Sequence, residues 1–409
     1  MLTGRGVAVF VAGLGLWVAA RIVGSPGMEV VAIGLAALPF LAALIVSRGT
    51  RRVAVRRRLS DVRVVPGARV TVSIDVENRS PAPTSFMLLE DRLPPSLGRP
   101  ARMVVSGIPG RGTQGVSYTV LPQERGRYRL GPVTLDLSDP FALTRRRMDF
   151  DEQEDLLVTP EIEDLAMSPD AASGSNFGAS RARQLFRTGQ EYYTMREYQE
   201  GDDLRRIHWA SVARTGQLMI RQDESTRRAN GLVFLDNRAV SLGQVRSPAF
   251  ERAVSVAATL GVLLAHRGFS LRFGSAEAPA TPMSEDGFLD ALAAIGHESG
   301  RTIGPLLARL RAGASTDTSL VLVSGPPAAA ELPPLIRSAS GFGPKLAVLV
   351  YPVDPNTLPA ERQVEMEGRA TQARLALTRA GWDCIVLPPS MRLNQRWHTP
   401  QERPLARSV

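Results

Sequence analysis

Two long apolar runs open the chain. Residues 7–20 and 30–46 are apolar all round a helix rather than along one stripe, and Ser25-Pro26-Gly27 forms a turn between them. Each run approaches the roughly 20 residues that cross a bilayer, so the pattern predicts a transmembrane helical hairpin over residues 1–50. The alternatives are a cleaved signal peptide and a buried soluble hairpin; the second run, directly after the first, disfavours the signal peptide.

The hydrophobic period changes to two between residues 59 and 160. Apolar and polar residues alternate over residues 70–77, and Pro81 follows the end of the run. Similar short runs occur at residues 86–89, 103–105, 116–121 and 133–137. Several short strands separated by Gly and Pro predict an immunoglobulin-like β-sandwich, serving as a spacer or docking module.

Strand-like and helix-like patterns alternate in the second half of the chain, after a linker predicted at residues 161–184. The strand-like runs are residues 231–236, 271–273, 320–323, 346–350 and 384–387, and the helical ones are 248–267, 286–295, 333–338 and 360–380. Such alternation predicts a Rossmann-like α/β domain over residues 185–390, with ligand sites at the carboxyl ends of parallel strands. Residues 391–409 are expected to form a loose tail.

Charge is concentrated at the N-terminus. Residues 1–60 contain eight arginines and one acidic residue, so they account for seven of the nine net positive charges. The remainder is nearly neutral and lacks the broad basic surface of a nucleic-acid-binding protein, so we expect no nucleic-acid partner. The single cysteine, Cys384, rules out an intrachain disulfide.

The arginines also orient the hairpin. Six follow its second helix, Arg48, Arg51, Arg52, Arg56, Arg57 and Arg58, whereas its short loop holds only Arg21. The positive-inside rule therefore predicts a multi-pass protein of the cell (inner) membrane, with its soluble domains in the cytoplasm. We expect the cluster also to bind anionic lipid headgroups of the bilayer, at about 1 kcal/mol per arginine. The residues concerned are Arg51, Arg52, Arg56, Arg57 and Arg58.

Residues 185–218 combine aromatic and charged side chains without helical or strand periodicity. The candidates for a partner-binding face are Arg196, Tyr198, Asp202, Asp203, Arg205, Trp209 and Arg214. Tyr, Trp and Arg carry much of the energy of protein interfaces. In the alternative interpretation the segment is a structural latch, with Ile207 and Trp209 in the core. A second class of function is an enzyme of the cell envelope that uses Asp202, Asp203 and His208 for acid–base chemistry.

A degenerate metal site is conceivable where two strands of the α/β domain end. Asp236 follows the first strand and Ser324 follows a later one. Mg²⁺ requires several oxygen ligands, and the guanidinium of Arg238 would compete with it. We therefore expect Asp236 to pair with a nearby arginine or to cap a helix, and we expect no cofactor.

Residues 196–215 resemble the family of domain of unknown function 58, whose pattern reads R-E-Y-x-x-G-D-D-x-R-x-I-x-W-x-x-x-A-R-T. Segments at 125–128 (R-G-x-Y) and 139–141 (D-P-F) resemble it too. The resemblance implies a membrane hairpin, a β-sandwich and a von Willebrand factor A-like domain, and a scaffold that works with a MoxR-type AAA+ ATPase or another membrane protein. Members often carry D-x-S-x-S, where this chain has Arg238 and Val240 in place of the serines. The oligomeric state is left open.

Overall fold

The chain divides into two compact units, Met1–Thr159 and Pro160–Val409. The computed structural model describes residues 2–50, 53–84, 86–139, 141–165, 193–199, 207, 209–223, 229–300 and 302–397. Within the first unit an apolar helical pair leads into a set of β-sheets. The second unit is a parallel sheet between helices, together with a separate two-stranded sheet.

The first unit begins with two helices, α1 (Gly4–Val23) and α2 (Pro26–Thr50). Both are long and apolar enough to span a membrane, and their most apolar windows are mostly uncovered by protein. Gly24 ends α1 in the left-handed conformation, where the lack of a Cβ avoids strain. The sequence correctly predicted two N-terminal apolar helices suited to a membrane anchor.

Ten strands follow in the first unit. They are β1 (Val53–Leu59), β2 (Arg63–Val64), β3 (Val70–Asn78), β4 (Met87–Asp91), β5 (Ala101–Val105), β6 (Thr113–Val120), β7 (Gly126–Leu130), β8 (Val133–Ser138), β9 (Arg145–Phe150) and β10 (Glu154–Val158). They form three sheets, in the orders β1-β3-β6, β2-β10-β7 and β5-β4-β8-β9. The first strand starts before residue 59, where the sequence predicted the sandwich to begin.

One hydrophobic core joins these sheets into a sandwich. Strand β3 buries every second residue, Val70, Val72, Ile74 and Val76, as its alternating sequence requires. These side chains meet residues of β4, β7, β8 and β10. Val46 of α2 belongs to the same cluster. The C-terminal part of α2 is thus packed into the sandwich.

A buried ionic cluster lies inside this sandwich. The side chains of Arg57 and Asp91 are fully buried and form an ion pair. Arg57 Nη1 also donates to the carbonyls of Leu130 (2.7 Å) and Glu152 (2.8 Å), and the Tyr118 hydroxyl donates to the other Asp91 oxygen (2.6 Å). Burial raises the pKa of Asp91, and burial with this hydrogen bond raises the pKa of Tyr118, so the phenol remains a neutral donor.

This cluster corrects one expectation about lipid contacts. Arg57 was predicted to hold lipid headgroups together with its neighbours, but an enclosed side chain cannot reach a lipid. Because residues alternate along β1, Arg56 and Arg58 face outwards, and Arg58 pairs with Asp75 at the surface. Arg51 and Arg52 lie outside the described residues.

The second unit contains a six-stranded sheet of order β15-β14-β13-β16-β17-β18. Its strands are β13 (Asn230–Leu235), β14 (Ser270–Ser275), β15 (Thr281–Pro282), β16 (Thr318–Ser324), β17 (Lys345–Val350) and β18 (Asp383–Leu387). All neighbours are parallel except the short edge strand β15. The separate sheet pairs β11 (Tyr193–Glu197) with β12 (Met219–Asp223).

Helices cover both faces of the parallel sheet. The described helices of this unit are α3 (Trp209–Thr215), α4 (Ala239–Leu242), α5 (Pro248–His266), α6 (Glu285–Ala294), α7 (Gly304–Ala312), α8 (Leu332–Ser338), α9 (Ala360–Arg379) and α10 (Leu393–Trp397). Val233 and Leu235 of β13 face α5, α6 and α10, whereas Leu232 and Phe234 face α7, α8 and α9. Strand β13 is therefore buried on both faces, which explains its unbroken apolar sequence.

Helix α5 is apolar enough to be a third candidate membrane span, but most of it is buried within this unit. Its start follows from Ser247, whose hydroxyl accepts from the Phe250 N–H at 3.2 Å, and from Pro248 in the first turn. We interpret α5 as the central core helix of the α/β unit.

Two segments expected to be loose are packed against this unit. In the predicted linker, the Glu163 carboxylate accepts from Arg252 at 2.8 Å, and Leu165 joins the core. In the predicted tail, Leu393 and Trp397 of α10 are buried. The expectation was wrong for these residues because Leu165, Leu393 and Trp397 fill one face of the sheet and Glu163 pairs with Arg252. Residues 166–184 and 398–409 lie outside the described part.

We expect Arg57→Met to destabilise the sandwich by about 3–5 kcal/mol, because it leaves Asp91 buried without its cation. Arg58→Met is the matched control: its ion pair with Asp75 is exposed, so the loss should be below about 1 kcal/mol. Amide hydrogen exchange along β3 in the full chain measures both. Equal protection of β3 in the two variants would show that the buried pair does not stabilise the fold.

Candidate functional site at the carboxyl edge of the parallel sheet

The carboxyl end of β13 lies at the switch point of the sheet, where the order in which successive strands are added reverses. β13 lies between β14 and β16, so the chain moves to one side of it first and later to the other. Crevices at such switch points are the usual ligand sites of open α/β sheets. Asp236, the residue after β13, remains held to the sheet because its N–H donates to the Val323 carbonyl at 2.8 Å.

Arg238 occupies this position with its side chain folded back onto Asp236. Its Nε donates to Asp236 Oδ1 and its Nη2 to Oδ2, both at 2.8 Å, and Nη1 donates to Glu331 Oε1 at 3.2 Å. Asp236 and Arg238 are each only 4% exposed. Burial lowers the pKa of Arg238, but the two carboxylates outweigh burial and raise it, so the guanidinium is permanently charged. The cluster is a buried bidentate ion pair with a third, partly exposed member.

The polar residues around this pair also bond within the protein. Asn237 is fully buried; its amide donates to the Gly296 carbonyl at 2.8 Å and its oxygen accepts from the Ala276 N–H at 3.0 Å. This one side chain therefore ties the loop after β13 to the loop after β14. Such ties hold an irregular edge rigid, because each buried polar group needs its partner.

The loop after β16 is held in a similar way. Ser324, the second residue of the predicted degenerate metal site, donates to the Gly325 carbonyl at 2.9 Å. The Ser241 hydroxyl accepts from the Gly325 N–H at 2.8 Å. A Cβ at Gly325 would lie 2.0 Å from the Ser241 carbonyl oxygen, so only glycine fits there.

This donor set does not fit a divalent metal ion. Both Asp236 oxygens already accept from a guanidinium, which is a cation and offers no lone pair to a metal. Within the described ranges, no group of three or more His, Cys, Asp or Glu side chains is arranged to hold an ion. As expected from the sequence, Asp236 pairs with a nearby arginine, and that arginine is Arg238.

One strand of the predicted partner-binding segment, β11, pairs with β12, which directly follows the segment. The pairing is antiparallel, and the Tyr198 N–H extends the ladder by donating to the Leu218 carbonyl at 2.8 Å. Ile207 forms an isolated bridge with Ile220, and both are buried. The chain thus contacts β12 at Ile207 before helix α3 begins at Trp209.

Helix α3 presents the aromatic side chain of the segment to solvent. Trp209, its first residue, is 68% exposed. The helix ends at Gly216, which has a φ of 73° and donates its N–H to the Val212 carbonyl at 2.8 Å. A large exposed aromatic on a helix held by a buried contact is a feature of binding surfaces.

The structure places only some of the predicted site residues. Arg196 lies in β11, Tyr198 is half-buried beside it, and Trp209 and Arg214 lie on α3, Arg214 exposed. Asp202, Asp203, Arg205 and His208 lie outside the described residues, so their interpretation stays a prediction. The sequence missed Glu331, which is 93 residues from Arg238 and belongs to no pattern that links the two.

The fold combines two N-terminal apolar helices that fit a membrane anchor with a sandwich and an α/β unit. Residues 194–276 match the family model described as "Protein of unknown function DUF58". Residues 194–276 are therefore similar to this family, as the resemblance of residues 196–215 indicated.

The chain is similar to the uncharacterized protein YeaD of Bacillus subtilis (strain 168), with 25% identity over 232 residues. The matched region covers 54% of this chain and 56% of YeaD, so the chain spans little more than half of that relative.

Two solved structures with partial similarity are the CARDB domain of PF1109 from Pyrococcus furiosus and the alkylpurine DNA glycosylase AlkC from Pseudomonas fluorescens. The CARDB match has 12% identity, covers 26% of this chain and 91% of that domain, and has a TM-score of 0.20. The AlkC match has 15% identity, covers 32% and 42%, and has a TM-score of 0.16. Scores this low support no conclusion about fold or function.

We expect Asp236→Ala to destabilise the α/β unit by about 3–5 kcal/mol, because Arg238 would lose its bidentate partner while remaining buried. Glu331→Ala is the control: it removes a carboxylate that is 23% exposed and accepts from Arg238 and from the Ala328 N–H, and should cost about 1 kcal/mol. Denaturant unfolding followed by the buried Trp382 and Trp397 measures the difference. A smaller loss for Asp236→Ala than for Glu331→Ala would contradict the assignment of the buried pair.

Proposed function

We propose that this chain is a membrane-anchored scaffold that binds a protein partner without a metal ion. The binding surface is formed by the β11–β12 strand pair and α3. The observation that carries the proposal is the exposed Trp209 on a helix anchored by the Ile207–Ile220 contact. Trp and Arg are the commonest energetic anchors of interfaces, and Arg214 lies on the same helix. The partner would meet a preformed surface, which lowers the entropy cost of binding.

We further propose that the α/β unit is a von Willebrand factor A-like domain. Its support is the strand order, in which β13 is central, five strands run parallel and the short β15 is antiparallel at one edge. An aspartate follows the central strand, where the resemblance associates D-x-S-x-S with a metal ion. Here Arg238 stands in place of the first serine and supplies a positive charge from the protein itself.

Partner binding without metal follows from that substitution. A metal ion at the edge of such a domain would offer an open coordination position to an acidic group of the partner. The Arg238 guanidinium is instead 4% exposed and engaged by two carboxylates. We therefore assign partner binding to the surface of the β11–β12 strand pair and α3 rather than to the carboxyl edge of the parallel sheet.

The family resemblance suggests a MoxR-type AAA+ ATPase or another membrane protein as the partner. The arginines that follow α2 favour a cytoplasmic position for both soluble units, where such an ATPase would meet them. The two apolar helices would hold the scaffold at the membrane, so that the partner is recruited to its surface.

We expect Trp209→Ala to abolish recovery of the partner after crosslinking in native membranes, because loss of an interface anchor costs about 2 kcal/mol or more of binding, or roughly 30-fold in affinity. Val364→Ala is the matched control, since Val364 is 69% exposed on α9 of the same unit. Both variants should unfold at the wild-type temperature. A large fall in that temperature for Trp209→Ala, with binding reduced only in proportion, would make the segment a structural latch instead.

A further inference from the structure

The start of α1 is bonded to a turn of the sandwich. The Thr3 N–H donates to the Leu143 carbonyl at 2.9 Å, and its hydroxyl donates to the Ala142 carbonyl at 2.6 Å. Leu2 forms a bridge with Thr144. Gly6 lies so close that a Cβ would be 2.2 Å from the Leu143 oxygen. The first turn of the membrane helix and residues 141–144 are therefore in direct contact.

The length of α1 determines how close residues 141–144 lie to the bilayer. Its 20 residues span about 30 Å at 1.5 Å per residue, which equals the thickness of the hydrocarbon core. No extra helical turn remains to lift Gly4 away from the membrane. Residues 141–144 must then lie at the level of the lipid headgroups.

The second membrane helix enters the same end of the sandwich. Val46 of α2 is buried in the sandwich core, and β1 begins three residues after α2 ends, at Val53. Val53 pairs with Asn78, and β4 begins shortly afterwards. One end of the sandwich is thus nearest the membrane. It contains the beginning of β4, the end of β5 and the turn between β8 and β9.

The turn that contains Asp139, Phe141 and Thr144 is held by hydrogen bonds and exposes a phenylalanine. The buried Asp139 carboxylate accepts from the Phe141 N–H at 2.9 Å, from the Thr144 N–H at 2.5 Å and from the Thr144 hydroxyl at 3.0 Å. Burial raises the pKa of Asp139, but these bonds outweigh it and lower the pKa, so the acceptor is ionised at neutral pH. Phe141 is 68% exposed on this turn.

Other apolar side chains are exposed at the same end. Phe86, just before β4, is 64% exposed, and Val104, on β5, is 68% exposed. Together with Thr3, Gly4 and Arg5 they line a cavity of about 660 Å³. Apolar side chains such as phenylalanine can be buried at the boundary between headgroups and acyl chains, and an arginine there can bind a lipid phosphate.

We propose that this end of the sandwich rests on the bilayer that α1 and α2 cross. Phe141 and Phe86 insert at the level of the headgroups, and the cavity beside Arg5 receives a phospholipid headgroup. The contact would hold the sandwich in one orientation relative to the membrane. The inference rests on the proposed membrane anchoring by α1 and α2 but not on the proposed partner binding, because it uses only residues of the first unit.

The insertion is tested with spin labels in the full chain reconstituted in phospholipid nanodiscs. Cys384→Ala removes the native cysteine, and Phe141→Cys or Leu121→Cys introduces a labelling site. Leu121 is the matched control, because it is 50% exposed and follows β6 at the opposite end of the ladder, where Val120 pairs with Val70. We expect the label at position 141 to collide less often with a water-soluble nickel complex and more often with oxygen than the label at 121. Equal accessibility at the two positions would overturn the proposal.

The headgroup contact is tested by photocrosslinking. A benzophenone amino acid replaces Val104 in the cavity or Leu121 at the opposite end, and the nanodiscs contain phosphatidylcholine and phosphatidylglycerol. We expect a phospholipid adduct at 104, little at 121, and a lower yield at 104 when Arg5→Gln is added. Similar yields at 104 and 121 would overturn lipid entry into the cavity, and an unchanged yield with Arg5→Gln would overturn the role of Arg5.

Discussion

The ion pair between Asp236 and Arg238 determines what the edge of the α/β unit can do. A carboxylate at the end of a central strand must be neutralised when it is buried, because an isolated buried charge is very costly. In this chain the neutralising cation is a covalently attached guanidinium, held at 2.8 Å to each carboxylate oxygen. The same group reaches Glu331 at the start of α8, so one side chain joins two loops of the edge. The charged groups of this edge are therefore bonded to one another within the protein.

A buried arginine also organises the sandwich. Arg57 joins β1 to β4 through Asp91 and to the carbonyls of Leu130 and Glu152. Replacing such a pair by apolar residues is often neutral for stability, whereas removing one partner is costly. Arg57 and Arg238 therefore each join segments that are distant in sequence.

The alternating pattern of the second half predicted most elements of the α/β unit, because buried parallel strands are unbroken apolar runs and helices such as α5 begin with clear capping residues. The Asp236–Arg238 pair was also foreseeable, since the residues are two positions apart. Partners distant in sequence were not: Asp91 is 34 residues from Arg57 and Glu331 is 93 from Arg238. Because no sequence pattern links Arg57 to Asp91, the sequence alone predicts Arg57 to be a membrane-flanking residue. In residues 185–218, Ile207 is buried, as the structural latch requires, whereas Trp209 is exposed, as a partner-binding face requires.

The ion pair between Asp236 and Arg238 predicts that Asp236 does not bind a divalent metal ion. Titration of the purified full chain with Mn²⁺, followed by the loss of its free-ion electron paramagnetic resonance signal, compares wild type with Asp236→Asn at neutral pH. If Arg238 supplies the charge at this edge, the two titrations should coincide. One equivalent of Mn²⁺ bound by the wild type and lost in Asp236→Asn would show that the carboxylate serves a metal ion, and would contradict an edge closed by the guanidinium.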